Sequence, residues 1–108
     1  MKRNIIFDGY LTEASIVSNS VPIIGDVSCI LLAEYNMGDE TSITLEPRIL
    51  GFQLLNSDGN IEKLTLSLTG KFAWALKQSA SLVDVKINSN GFVGENPGKL
   101  KLEVLEVV

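Results

Sequence analysis

Hydrophobic side chains along much of this chain recur at every second residue. Leu64, Leu66 and Leu68 alternate with Lys63, Thr65, Ser67 and Thr69. Val83, Val85 and Ile87 alternate with Asp84, Lys86 and Asn88, and Leu100, Leu102 and Val104 with Lys99, Lys101 and Glu103. Successive side chains of an extended backbone point to opposite sides, so each run predicts a strand with one apolar and one polar face. Ile43 and Leu45 continue the pattern among Ser42, Thr44 and Glu46. Val27 to Tyr35 is apolar on both faces up to Glu34. That predicts a central strand covered on its second side, another subunit being one way to cover it. The best helical stretch, Phe72 to Leu82, reads equally well as a strand with Phe72, Trp74 and Leu76 on one side and Ala73 and Ala75 on the other.

The punctuation between these runs is of hairpin type. Met37-Gly38-Asp39-Glu40 ends one strand, Asn56-Ser57-Asp58-Gly59-Asn60 separates two more, and Asn90-Gly91 and Asn96-Pro97-Gly98 bracket the approach to the last. Gly and Asn take a positive φ at low cost, which is what tight hairpins require. About seven or eight strands at turn spacings of roughly eight to twelve residues predict an all-β fold, an antiparallel β-sandwich or a small barrel. The 108 residues make one domain, 1–108, with no internal repeat or linker.

The chain contains no histidine, which removes the commonest general base and metal ligand. Nine basic against thirteen acidic side chains leave a net charge of −4, a poor match to phosphate backbones, so no nucleic-acid partner is expected. The longest stretch without a charge, Ala14 to Gly25, has 12 residues and four polar side chains, too short and too wet for a membrane span. Lys2-Arg3 followed by Asn4-Ile5-Ile6-Phe7 starts like a signal peptide, but Asp8 ends the apolar run at once. The single thiol, Cys29, lies in an apolar run and reads as a small buried hydrophobe.

Several near-motifs carry less than they promise. Gly94-Glu95-Asn96-Pro97-Gly98-Lys99 has three residues between its glycines where a phosphate-binding loop has four, and it leads into a strand rather than a helix. Asn56 to Ile61 matches the middle of a calcium loop, but Leu54 and Thr65 stand where the strongest anionic ligands belong. Asp39 and Glu40 are adjacent carboxylates that need not converge, and they read as a solvated acidic turn. No serine has an activating partner, since the elbow and Ser-x-x-Lys motifs are both missing. The sequence therefore predicts no enzyme, no cofactor and no metal. Trp74 reads as a core or subunit-interface residue, with a sugar-stacking platform as the functional alternative.

The segment Asp26 to Leu45, with its Tyr35-Asn36-Met37-Gly38-Asp39-Glu40-Thr41-Ser42 turn, resembles a small family of jelly-roll β-sandwich proteins encoded in the structural gene clusters of tailed bacteriophages. Gly70-Lys71-Phe72-Ala73, Val83 to Ile87, the Gly94–Gly98 loop and the strand Lys99 to Val104 look like that family's second half. Pro47-Arg48-Ile49-Leu50-Gly51-Phe52 departs from it, where the family has an Asp/Gly-rich, aromatic-containing hairpin. In the turn itself, Gly38 is expected to supply a left-handed residue, with Asp39 and Thr41 bonding exposed amides.

The resemblance implies a jelly-roll-like domain working without catalysis as a virion part, such as a capsid decoration or cement protein, assembled in the host cytoplasm. Its partners would be itself, as a homo-oligomer with a trimer as one option, and a major capsid or other virion protein. A carbohydrate- or receptor-binding β-sandwich is the alternative. Residues 1–25 hold more apolar material than one edge strand needs, including Ile5, Ile6, Phe7, Tyr10, Leu11, Ile16, Val17, Ile23 and Ile24. They read either as a docking segment or as the first strands of the same core. At the other end Glu106 takes the inward phase, so Leu105, Val107 and Val108 break the alternation, which predicts a bulge or a chain end meeting a neighbour.

Overall fold

Period-two patterning over most of the chain becomes strand almost everywhere. The computed structural model describes residues 2–23, 28–76, 82–92 and 94–107, and these contain ten strands and no helix. The strands are β1 (Lys2–Tyr10), β2 (Ser15–Val17), β3 (Val21–Pro22), β4 (Ser28–Asn36) and β5 (Ser42–Ile49), followed by β6 (Phe52–Gln53), β7 (Leu64–Leu66), β8 (Gly70–Leu76), β9 (Leu82–Asn90) and β10 (Lys99–Val107). All pairings are antiparallel. One sheet has the order β1-β10-β4-β8; the other runs β2-β9-β5-β6, with β3 also on β9 and β7 also on β5.

Two of the short pieces are interruptions rather than extra strands. β2 and β3 lie in line along β9, and between them Ser18 keeps contact, its Oγ accepting from the Val85 amide at 2.9 Å. β6 and β7 lie along β5, the first opposite Arg48 and Ile49, the second opposite Ile43 to Leu45. Counted as eight strands, the sheets read 1-8-3-6 and 2-7-4-5, which is the jelly-roll order of two interleaved Greek keys. The chain is thus an all-β antiparallel sandwich, as the periodicity predicts.

The core lies between the sheets. Cys29, Leu31, Ala33 and Tyr35 of β4 and Leu100, Leu102 and Val104 of β10 face Ile43 and Leu45 of β5 and Val83, Val85 and Ile87 of β9. Burying a large aliphatic side chain is worth about 1.5–3 kcal/mol, so this alternation carries most of the fold. Trp74 and Phe72 pack at the core's margin from β8, while Ala73 and Ala75 look outward, which is the strand reading of that segment. The β7 pattern stops earlier than its alternation: Leu68 lies beyond the strand and is 59% exposed.

The inward phase of Glu106 produces no bulge in its own strand. β10 stays in unbroken register with β4 from Lys99 to Val107, whereas β1 shifts register between Ile5 and Phe7. The extra residue lets both Ile6 and Phe7 face the core, so the bulge belongs to β1 rather than β10. Glu106 does point inward, at the sandwich's mouth, where its carboxylate accepts a 3.1 Å hydrogen bond from Asn4. Together with burial, which acts most strongly, this carboxylate raises the pKa of Cys29.

Candidate binding surface

The two sheets differ in what covers their outer faces. On the four-stranded sheet the register brings Arg3, Ile5 and Tyr10 of β1 alongside Lys101, Glu103 and Leu105 of β10. Next come Ile30, Leu32 and Glu34 of β4, and then Lys71, Ala73 and Ala75 of β8. Ile5 is 57% exposed, Ala73 and Ala75 are exposed, and Ile30, Leu32 and Leu105 are half-buried by their neighbours alone. The second side of β4, apolar in sequence, therefore ends at solvent. Leu32 and Ala73 floor a shallow trough of about 230 Å³ in the middle of this face.

Around the trough three cations share two carboxylates. The Arg3 guanidinium holds Glu103 at 2.7 Å, and the Lys101 ammonium stands 3.2 Å from the same carboxylate. Burial pushes Glu103 upward, but the hydrogen bonds and charges of Arg3 and Lys101 outweigh it and hold its pKa below the ordinary value. Lys71 and Glu34 form a looser, exposed pair at 3.8 Å. At the end of the face the Tyr10 ring lies open, with the Lys99 ammonium 5.8 Å from its centre.

The structure divides the residues that sequence reasoning offered for docking. Ile5 and Tyr10 are exposed on this face, and Leu105 and Val107 are half-buried at its other end from Tyr10. Ile6, Leu11 and Ile23 are core residues, and Phe7 and Ile16 pack against the core, so β1, β2 and β3 are strands of the sandwich. Ile24 and Val108 lie outside the described residues. Arg3, Leu32 and Glu103 belong to the face and were not singled out. The two-sided apolar run at 27–35 was the signal that pointed to it.

The β4–β5 turn corrects the reading of a solvated acidic turn. Asp39 is exposed, but Glu40 is only 3% exposed and its carboxylate takes three hydrogen bonds. Tyr35 Oη donates at 2.9 Å and the Gly98 amide at 2.7 Å, and the Gly38 amide donates as well. The Asp39 amide adds a bond to the Asn96 carbonyl, so the turn is laced to the loop before β10. Gly38 is not left-handed: it is absent from the glycines with positive φ, and its requirement is space, because a Cβ would collide with the backbone of Asn96 to Gly98. Burial, the Glu40 hydrogen bond and the Glu40 charge together push the Tyr35 hydroxyl well above its ordinary pKa.

Other candidates resolve as structure. In the 56–60 loop Asn56 Oδ1 accepts from the Asp58 and Asn60 amides at 2.9 and 3.1 Å, so its oxygen is already committed to the loop's own N–H groups. No group of three or more acidic, Cys or His side chains converges to hold a metal among the described residues. Trp74 shares the inner side of its strand with Phe72, away from the open face, and offers no platform there. Arg48 and Asp84 form a bidentate, half-buried pair at 2.7 and 2.9 Å across β5 and β9; it clamps the sheet beside Pro47.

No family model matches the chain, and no curated protein does. Among solved structures it is similar to the CBM36-1 domain of a multidomain xylanase from the hindgut metagenome of Trinervitermes trinervoides. The TM-score is 0.51 at 7% identity, over 99% of this chain and 98% of that one. A carbohydrate-binding module CBM36 in complex with calcium and xylotriose aligns over 99% of this chain and 100% of its own, with a TM-score of 0.46 and 5% identity. At 7% identity what is shared with the first of these is the fold, a β-sandwich.

Proposed function

We propose that this protein is a non-catalytic binding module that recognises its partner through the open face of the four-stranded sheet. The observation that carries the reading is the make-up of that face: an apolar floor on Ile5, Ile30, Leu32, Leu105, Ala73 and Ala75, surrounded by three cations that share two carboxylates. An apolar centre with a polar rim is the anatomy of a protein–protein contact. A protein partner, in a virion part of the kind that the sequence resembles, fits this chemistry.

A second reading, a carbohydrate-binding module, is favoured by the fold shared with the xylanase's CBM36-1 domain. Sugars are commonly gripped by stacking on exposed aromatic rings, and Tyr10, at the margin of the face, is the aromatic side chain positioned for it. Calorimetry with xylo-oligosaccharides, on the native protein and on Tyr10→Ala, separates the two. The protein-contact reading expects no heat of binding from either. Micromolar binding lost in Tyr10→Ala would replace it with the carbohydrate reading. On the protein side, Leu32→Asp is expected to abolish co-sedimentation with the partner particle while circular dichroism stays native.

A further inference from the structure

A second apolar feature lies on the other sheet. β5 and β6 are joined by the two-residue loop Leu50-Gly51, closed by the Ile49–Phe52 pair. Both loop residues are left-handed, with φ of 52° for Leu50 and 80° for Gly51. A hairpin loop of this kind favours Asn-Gly, because an L side chain larger than Asn is strained there. Here the strained position carries leucine, 58% exposed, and Phe52 beside it is 75% exposed. Nine consecutive residues, Ile49 to Ser57, carry no charge. Neither propensity nor burial within the chain accounts for an apolar side chain at this tip.

We infer that the Leu50–Phe52 tip of one copy seats in the trough on the four-stranded sheet of a second copy. The inference rests on the protein-contact reading above and names the partner. Three observations select a second copy. The trough, about 230 Å³, is smaller than the roughly 300–1,000 Å³ usual for small-molecule pockets, and so is sized for one or two side chains. Its floor of Leu32 and Ala73 matches an apolar knob, and an uncharged knob adds no charge to a rim where Arg3 and Lys101 share Glu103 and Lys71 stands beside Glu34. The chain carries both halves on opposite sheets, so the contact joins different patches and can propagate to a ring or a filament.

Sedimentation velocity of the native protein across a concentration series tests this. Species heavier than the 11.7 kDa protomer are expected, weakened at least about tenfold by Phe52→Ser and by Ala73→Arg, which fills the trough. Leu50→Asn is expected to weaken association while raising the melting temperature, because it relieves the strained turn; a merely structural leucine would not divide the two readouts. An equimolar mixture of Phe52→Ser and Ala73→Arg retains one intact knob and one intact trough, and so should form a dimer and nothing larger. A monomer at every concentration, or an oligomer indifferent to both variants, overturns the inference. If the native protein is monomeric yet Ala73→Arg abolishes binding to a different protein, the protein-contact reading survives and the second-copy assignment falls.

Discussion

Removing the Glu40 carboxylate should unfasten the β4–β5 turn from the loop that precedes β10. In Glu40→Ala the Gly38 and Gly98 amides and the Tyr35 hydroxyl all lose their acceptor in a site that is 3% exposed. A buried donor left without a partner costs about 1–3 kcal/mol, and water entering at the turn recovers part of that. Relief of the carboxylate's own desolvation offsets a further part, which brings the expected loss to about 3–5 kcal/mol. Against a total stability of about 5–15 kcal/mol for a domain, this is a large fraction. Glu40→Gln keeps one carbonyl oxygen but must turn its NH2 toward an N–H donor, so about half the loss remains. Urea unfolding followed by fluorescence of the half-buried Trp74 measures it, with Asp39→Ala as a control expected within about 0.5 kcal/mol of native. A Glu40→Ala protein within about 1 kcal/mol of native would refute the argument.

Gly38→Ala should cost at least about 2 kcal/mol in the same assay, because its Cβ meets backbone rather than a flexible side chain. A double-mutant cycle on Arg48 and Asp84 should give a coupling of about 2 kcal/mol, whereas Lys71 with Glu34 should give under about 0.5 kcal/mol. Glu103 is held below the ordinary carboxylate pKa, so its stabilisation is complete above that range and is lost as pH falls through the lowered value. In an acid titration of stability, Arg3→Met should flatten this limb. At the alkaline end Tyr35 and Cys29 are both raised; their contribution is complete below their ordinary pKa values and declines as pH rises past them. Tyr35→Phe should remove its part of that decline when stability is followed from pH 8 upward.

The strands were legible because a half-buried antiparallel sheet writes its period directly into the sequence, and because Gly, Asn and Asp mark its turns. Val83 to Ile87 and Leu100 to Val104 sit where alternation puts them. The bulge at Ile5–Phe7 was not legible, since Ile5-Ile6-Phe7 offers the same apolar character in either phase; its consequence is that Phe7 joins Ile6 on the core side. Glu40 was missed because its partner Gly98 lies 58 residues away, and no local pattern announces a carboxylate buried among backbone amides. A Tyr and a Glu on either side of a Gly, in Tyr35-Asn36-Met37-Gly38-Asp39-Glu40, was the available hint. Half of the open face was visible as the two-sided apolar run of β4. Arg3 and Glu103 were hidden because their pairing spans 100 residues.

On the proposed reading, the outer face of the four-stranded sheet is a surface for protein contact. Amide NMR spectra of the native protein, first at rising concentration and then with added xylo-oligosaccharide, test it most directly. Concentration-dependent shifts centred on Leu32, Ala73 and Leu105 are expected, with no response to the sugar. Sugar-dependent shifts on that face, with none from concentration or from a protein partner, would contradict it.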